Sequence, residues 1–472
     1  MKKFTKYMVA ASIMCAATGA SAQTLKSGYF LDNYLFKHQM NPAMSSESNY
    51  VSIPVIGNIN VGTHGNVGLG KFLYPYNNGG LTTFLNSSIS ANDFLGSLKS
   101  NNKMGASINI GILSAGFKAW GGFNTIDIGL RSNTTMNMPY ELFEFLKIGQ
   151  QGASSIYDMT DMGVNSSTYI ELAFGHSREI NENLRVGAKV KFLLGGAYAD
   201  MKMTDMKVTL SEDKWMIQAN GEMNAALKGL VLPTKQESGK EVSDPSQNTL
   251  IDFGEMDIDS PGLSGFGLAV DLGATYKVMD NLTVSAAIKD LGFINWSNNI
   301  YGKTANEAWE FNGFQNIATG DNDTADNPNS FDNQLEALGD DLENFSSFHR
   351  ESTGGSLSRA LSATLNIGAE YALPMYDKLS FGILSSTRFN GPYTYAEGRI
   401  SANVSPLNWL EGGVNYCLSN YGSSMGWIVN IQPKKGVGVF IGMDQLIGKV
   451  SKQFIPINNM NSNFSFGLNV TF

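Results

Sequence analysis

The final nine residues run Phe-Ser-Phe-Gly-Leu-Asn-Val-Thr-Phe. Phe464, Phe466, Leu468, Val470 and Phe472 share one face, and Ser465, Gly467, Asn469 and Thr471 share the other. Side chains alternate in this way along a strand and not along a helix, so the chain ends in a strand with an aromatic carboxy terminus. Two architectures accept such a strand: a soluble sandwich and a closed barrel in a membrane. The rest of the chain decides between them.

Lys2, Lys3 and Lys6 precede an apolar run, Tyr7 to Gly19, that is too short to cross a bilayer, and Ala20-Ser21-Ala22 follows. This layout predicts a signal peptide over residues 1–22 and a mature chain from Gln23. Cys15 lies inside the run rather than at the cut, which argues against lipidation. No later segment holds roughly 18 uninterrupted apolar residues, so an exported chain of this kind crosses a membrane only as a closed barrel. With 51 Gly and 16% charged residues, the composition suits strands that face lipid on one side and a polar lumen on the other. Loss of the three signal lysines takes the formal charge from −9 to −12, which excludes nucleic-acid binding through phosphate neutralisation. The mature chain keeps one cysteine, Cys417, and its four histidines are scattered, so neither a disulfide nor a metal or other cofactor is expected.

Internal segments repeat the terminal pattern, for example Leu184 to Leu194, Phe266 to Tyr276, Leu361 to Tyr371 and Leu410 to Leu418. Each is about ten residues, the length a tilted strand needs to cross the hydrocarbon. The faces opposite the apolar ones carry Gly, Ala, Ser, Asn and isolated charges of both signs, which fits a crowded barrel interior better than bulk water. Short turns such as Ile180–Asn183, Pro374–Lys378 and Gln432–Lys435 contrast with two long polar stretches, Met223 to Pro261 and Ser297 to Leu357. That asymmetry belongs to outer-membrane barrels. The expected fold is therefore all-β: an antiparallel transmembrane β-barrel of about fourteen strands in the outer membrane of a Gram-negative bacterium. Sixteen stretches qualify as strands, centred near residues 56, 107, 128, 173, 190, 206, 218, 270, 287, 366, 384, 399, 414, 429, 441 and 467, and two are expected to drop out. Trp120, Trp215, Trp296, Trp409 and Trp427 fall near strand ends, where either a membrane-boundary girdle or the general preference of aromatics for strands accounts for them.

Residues 23–48 precede the barrel, which takes residues 49–472. They carry Tyr29, Phe30, Leu31, Tyr34, Leu35 and Phe36, then Asn41-Pro42-Ala43. So many aromatics predict burial, as a plug or hatch in the lumen or as a helix packed under the barrel. An amino-terminal hatch with Asn41-Pro42-Ala43, about fourteen strands and a terminal Phe472 resemble the long-chain fatty-acid transporter superfamily. Within it the chain is similar to uncharacterised barrels and to the outer-membrane shuttle protein of type IX secretion. Asp290 to Trp296, where alternation is lost beyond Ile288, resembles a kinked strand of the same group. The resemblance implies capture of a hydrophobic ligand among outer loops and release through the wall past the hatch.

Two loop segments read as helices. Tyr140 to Ile148 follows Pro139, and Phe331, Leu335, Leu338, Leu342 and Phe345 repeat at helical spacing after a Ser330 cap. Phe143, Phe145, Leu146, Leu335, Leu338 and Leu342 are candidates to line a ligand groove above the barrel, and sealing of the barrel mouth is the other reading. Glu171, Arg185, Lys189, Asp271, Glu397 and Arg399 fall on lumen-facing positions, with mixed signs that predict ion pairs. Asp321, Asp323 and Asp326 lack the glycine and distant glutamate of a calcium loop. No nucleophile elbow or phosphate-binding loop occurs, so catalysis is not expected. The expected function is passive transport of small hydrophobic molecules through a plugged barrel. The alternative is a surface anchor that docks secreted proteins. Outer-membrane lipid and, through the carboxy-terminal strand, the barrel-assembly machinery are the expected partners.

Overall fold

A computed structural model describes residues 24–46, 48–76, 80–237, 244–304, 308–314, 317–318, 324, 327–446 and 461–472; at positions 69, 245 and 342–346 only the backbone is described. The signal-peptide segment and Asp321, Asp323 and Asp326 lie outside these residues.

Fourteen antiparallel strands close a barrel. In chain order they are β1 (Tyr50–Ser52, resuming at Asn58–Gly65), β2 (Asn101–Ala119), β3 (Gly122–Pro139), β4 (Gly163–Glu179), β5 (Leu184–Ser211), β6 (Gly265–Met279) and β7 (Leu282–Thr304). They continue with β8 (Thr364–Ala372), β9 (Leu379–Arg388), β10 (Tyr395–Leu407), β11 (Leu410–Ser419), β12 (Gly422–Ile431), β13 (Gly436–Met443) and β14 (Ser462–Thr471). Each pairs with its neighbours in sequence, and the terminal strand closes the ring on the first, with Tyr50 opposite Thr471 and Ile59 opposite Phe466. No backbone edge is left at membrane depth, which is what permits a sheet to sit in hydrocarbon. Outward residues of successive strands, among them Phe192, Phe266, Ile367, Ile383, Ile400 and Phe464, are exposed and form an apolar band. No helix among the described residues is long and apolar enough to cross a membrane.

Every connection at one end of the barrel is short. The other end is uneven. β5 runs for 28 residues, about 90 Å at the rise of a strand, several times the height of an apolar band. Above the band it pairs with Trp215–Val231, and β7 pairs with Phe348–Ala360. Trp215–Val231 stands in line with β6: Leu227 lies opposite Ala197, and Gly265 opposite Gly195. Phe348–Ala360 stands in line with β8 in the same manner. The stretches centred near 206 and 218 are thus upward continuations of the β5 and β6 positions, and the remaining fourteen are the wall. Parts of the two long polar stretches are strand, contrary to the sequence reading. They escaped it because above the membrane both faces of a strand meet water or loops, and the alternation disappears.

One strand breaks its pattern inside the wall. Val270 pairs with Leu291 while Leu272 pairs with Ile288, so β7 carries an extra residue opposite Asp271. Asp290 takes φ of 59°, in the left-handed region that aspartate tolerates better than most residues, and its N–H donates to Asp271 Oδ1 at 2.7 Å. The bulge inverts the faces above it. Trp296, for which a place in a membrane-boundary girdle is one of two sequence readings, is buried inside and stacks on Tyr198 at 5.3 Å. Trp120 and Trp409 are exposed at the short-turn end, and Trp427 points outward on β12.

Candidate functional site

The amino-terminal segment fills the short-turn half of the lumen. Leu25, Tyr29, Leu31, Tyr34, Leu35, Phe36 and Met40 are buried in one apolar cluster with Tyr50, Phe123, Leu384, Ile428 and Phe440 from the wall. Burial of a large apolar side chain contributes about 1.5–3 kcal/mol, so this cluster alone binds the segment firmly. Polar contacts reach most of the circumference. Lys26 pairs with Glu397, the Ser27 N–H donates to Asp444 Oδ1 at 2.6 Å, and the Asn33 N–H donates to Glu411 Oε1 at 3.0 Å. Asn366 Nδ2 donates to the Met40 carbonyl at 2.8 Å. The Asn41-Pro42-Ala43 turn is stapled by the Ala43 N–H donating to Asn41 Oδ1 at 3.0 Å, and Asn41 Nδ2 donates to the Ala274 carbonyl at 3.2 Å. The turn sits on Gly187 and Gly273, which face each other across β5 and β6. A Cβ on Gly187 would lie 2.2 Å from the Pro42 oxygen, and one on Gly273 2.0 Å from Asn41 Oδ1. Only two glycines admit the turn so close to the wall.

His38 ties this hatch to four strands. Lys189 Nζ, a donor only, lies 2.7 Å from His38 Nδ1 and 2.8 Å from Asp127 Oδ2. Nδ1 therefore accepts, and Nε2 carries the proton and donates to the Tyr50 hydroxyl at 2.7 Å. Tyr50 donates to Ser114 Oγ at 3.0 Å, and Ser114 donates to Asp127 Oδ1 at 2.6 Å, closing the ring. Burial, and then the Lys189 ammonium, push the imidazole down from its ordinary 6.5 to about 3, so His38 is neutral in the closed hatch. A free His38 takes up a proton below about 6.5 and a latched one does not until about 3. The latch is fully effective above 6.5 and weakens progressively as pH falls toward 3. The protection of residues 24–46 against amide exchange, taken relative to the unstructured chain at the same pH, is expected to fall between pH 6.5 and 4 in the parent and to stay level over that range in His38→Gln.

Above the hatch lies a cavity of about 390 Å³. Gln39 and Met40 lie in its floor, and Asn390 to Tyr393 in its roof. Tyr169, Tyr198, Ile294, Trp296 and Leu361 form an apolar side. Charged residues line the remainder. Lys191 Nζ reaches Asp290 at 2.6 Å, Asp271 at 2.8 Å and Glu171 at 3.4 Å, and Arg131 reaches Glu171 at 3.0 Å. Lys289 on β7, Thr364 on β8 and Arg388 on β9 form one cross-strand row. Arg388 donates to Asn133 Oδ1 at 2.8 Å. Among the described residues no carboxylate lies within ion-pair distance of either Lys289 or Arg388. No group of three or more His, Cys, Asp or Glu among the described residues is placed to hold a metal.

The structure brings together Glu171, Lys191 and Asp271 at this cavity, with Lys189 at its base. Glu397 and Arg399 form a separate buried pair at 2.9 Å that holds Lys26. Arg185 lies near the short turns, paired with Glu179 at 3.0 Å. Lys289, Asp290 and Arg388 were missed as a site. Lys289 carried an inward signal, whereas Asp290 and Arg388 sit where a bulge and a strand end blur the alternation.

The loop helices lie elsewhere. Helices α1 (Ala91–Leu95) and α2 (Tyr140–Ile148) pack together, with Phe143, Phe145 and Leu146 against Phe94, Tyr157, Val208 and Leu210. Neighbouring Met201 and Met203 belong to the same continuous apolar layer, on the face of β5 opposite Tyr198, Asp200 and Lys202, which line the cavity. The first three groove candidates are therefore structural core on the far side of the strands, because the helix spends its apolar face on a second layer of loops. Leu335 and Leu338 lie on α3 (Phe331–Ser346), which does not pack on α2; Leu335 is exposed, and the Leu342 side chain is outside the described residues. Among the described residues no single groove unites these candidates.

No curated protein matches the sequence. The chain resembles the crystal structure of the Ralstonia pickettii toluene transporter TbuX at 11% identity over 96% of both chains, with a TM-score of 0.44. It resembles the Pseudomonas putida toluene transporter TodX at 10% identity over 96% of this chain and 94% of that one, with a TM-score of 0.34. A Pseudomonas aeruginosa FadL homologue matches at 10% identity over 96% and 99%, with a TM-score of 0.38. At such identities and scores the likeness says nothing of what these chains carry in common. The sequence profile of a family does match, over residues 42–444, from the hatch turn to the end of β13. This plugged fourteen-strand barrel thus belongs to DUF5723, a family of unknown function.

Proposed function

We propose that the protein is a passive outer-membrane transporter for small molecules with an apolar body and an anionic head. The observation that carries this reading is the Lys289–Thr364–Arg388 row. It presents two cations, neither within ion-pair distance of a described carboxylate, to a cavity whose other side is Tyr169, Tyr198 and Trp296. A cation drawn out of water with no direct ion pair carries a desolvation cost, and an anion between the two relieves both. The aromatic side accepts the hydrocarbon. The hatch closes the way toward the short-turn end and is the element that must yield for passage. Toluene, named for TbuX and TodX, carries no head group and is expected to bind here more weakly than an acid of similar size.

Binding of a medium-chain carboxylate to the purified barrel, against the alcohol of equal length, tests the reading. Replacing Lys289 and Arg388 by Gln is expected to weaken carboxylate binding about tenfold for each cation, with the alcohol unchanged. Equal binding of the acid by parent and double variant would refute it.

A second reading, a surface anchor that docks secreted proteins, draws on the tall side of the barrel. There Trp215, Phe331 and Leu335 are exposed beyond the apolar band. A stoichiometric protein partner lost on removal of α3 supports it.

A further inference from the structure

The connection between β9 and β10 joins adjacent strands and has no need to leave the rim. Six residues, Phe389 to Thr394, nevertheless cross the barrel. Lys103 Nζ, on β2, donates to the Pro392 carbonyl. In the ring of fourteen, β2 is the strand opposite β9 whichever way the wall is followed. The Tyr393 hydroxyl lies 3.3 Å from where a Cβ on Gly163, at the start of β4, would stand. Burial, then the Asp200 and Asp161 carboxylates, hold the Tyr393 phenol well above its ordinary range, which places the ring tip on the far side of the lumen as well. Arg388, at the base of the connection, reaches Asn133 on β3. Asn390, Gly391, Pro392 and Tyr393 all line the cavity from above.

The segment has the build of a hinged bar. It is stiffened at its centre by a single 3-10 turn, Gly391–Tyr393, with the Tyr393 N–H donating to the Asn390 carbonyl at 2.9 Å. Thr394 Oγ1 donates to the Gly391 carbonyl at 2.8 Å, and Asn420 Nδ2 donates to the Thr394 carbonyl at 2.8 Å, so the β10 end is fixed on its own side. Gly391 takes φ of 52°, a conformation that glycine adopts freely, next to the Asn390 end. The far-side contacts are few, polar and partly exposed, so breaking them uncovers no apolar core.

We propose that Phe389–Thr394 is an outer gate: a strap latched across the mouth by Lys103 and Tyr393, whose release opens the cavity to the outside while the hatch stays shut. This rests on the reading of the cavity as a passage, and gives that passage two closures in series. The strap, not the loop helices, then controls admission.

The test uses the full chain in lipid vesicles with one reporter thiol, Ser167→Cys, in the cavity lining; Cys417 is buried and serves as the unlabelled background. The rate of labelling by a small water-soluble maleimide is measured from the loop side. Lys103→Ala with Tyr393→Ala is expected to raise it about tenfold over the reporter parent. Asn133→Ala, which touches no strap residue, is expected to raise it less. Heat-shifted gel migration confirms that each variant is a folded barrel. Equal rates in parent and double variant overturn the proposal, as does a parent rate equal to that of a fully exposed thiol. Labelling involves no acid, so a gate that responds in a barrel that binds no carboxylate would leave the strap standing and remove only the ligand reading.

Discussion

Lys191→Met is expected to cost about 3–5 kcal/mol of barrel stability, the usual result of removing one partner from a buried ion cluster. Its ammonium serves Asp290, Asp271 and Glu171 at once, on β7, β6 and β4. Without it three carboxylates are left close together, with Arg131 and Lys289 as the nearest cations. The replacement fills similar volume, so the loss is electrostatic rather than a cavity. Denaturant titration in detergent micelles, read by tryptophan fluorescence, measures the difference. Adding Asp271→Asn to Lys191→Met is expected to recover part of it, since the two sites share a contact and their effects are not additive. A loss below about 1 kcal/mol would mean that water in the cavity screens the cluster as it would at a surface.

Gly187→Val with Gly273→Val attacks the hatch rather than the wall. Both new side chains would occupy the space of the Asn41-Pro42 turn, and on the Gly187 side the obstructing atoms are backbone, which cannot swing away. Overpacking of this kind costs about 1–3 kcal/mol, enough to raise the displaced fraction of the hatch about 5- to 150-fold. Both positions lie on strands that accept valine, so the barrel itself is expected to fold. Steady conductance across a planar bilayer, and sensitivity of cells to large hydrophilic antibiotics, are expected to rise in that proportion. Unchanged conductance together with unchanged amide exchange at residues 38–46 would show that the turn tolerates the side chains and that the glycines have another purpose.

The wall was legible because hydrocarbon on one side and a packed lumen on the other impose a period of two on every strand between them. Phe464 to Phe472 and Phe266 to Tyr276 show it without interruption. The burial of Tyr29, Tyr34 and Phe36 was legible for a similar reason, since aromatics in such number need cover. What failed lies where that imposed period ends. Above the band Phe348–Ala360 pairs as a strand with Ser, Thr and Gly on both faces, and nothing in its pattern says so. The helix at Tyr140–Ile148 was readable, but its partner was not: an apolar face states that it must be covered, never by what. The cavity row depends on register across three strands separated by some 75 residues in sequence between Lys289 and Thr364, a relation that only pairing reveals.

The in-line placement of Trp215–Val231 over Gly265–Met279 has a consequence for how this chain can change over time. Leu227 and Gly265 face Ala197 and Gly195, so a single residue opposite Gly196 would join them without altering any pairing below. Residues 228–264 are therefore an appendage spliced into a strand that is complete in their absence. That decoration can be lengthened, exchanged or discarded without disturbing the register of the cylinder beneath, which makes this seam the natural place to graft foreign sequence for display on a cell.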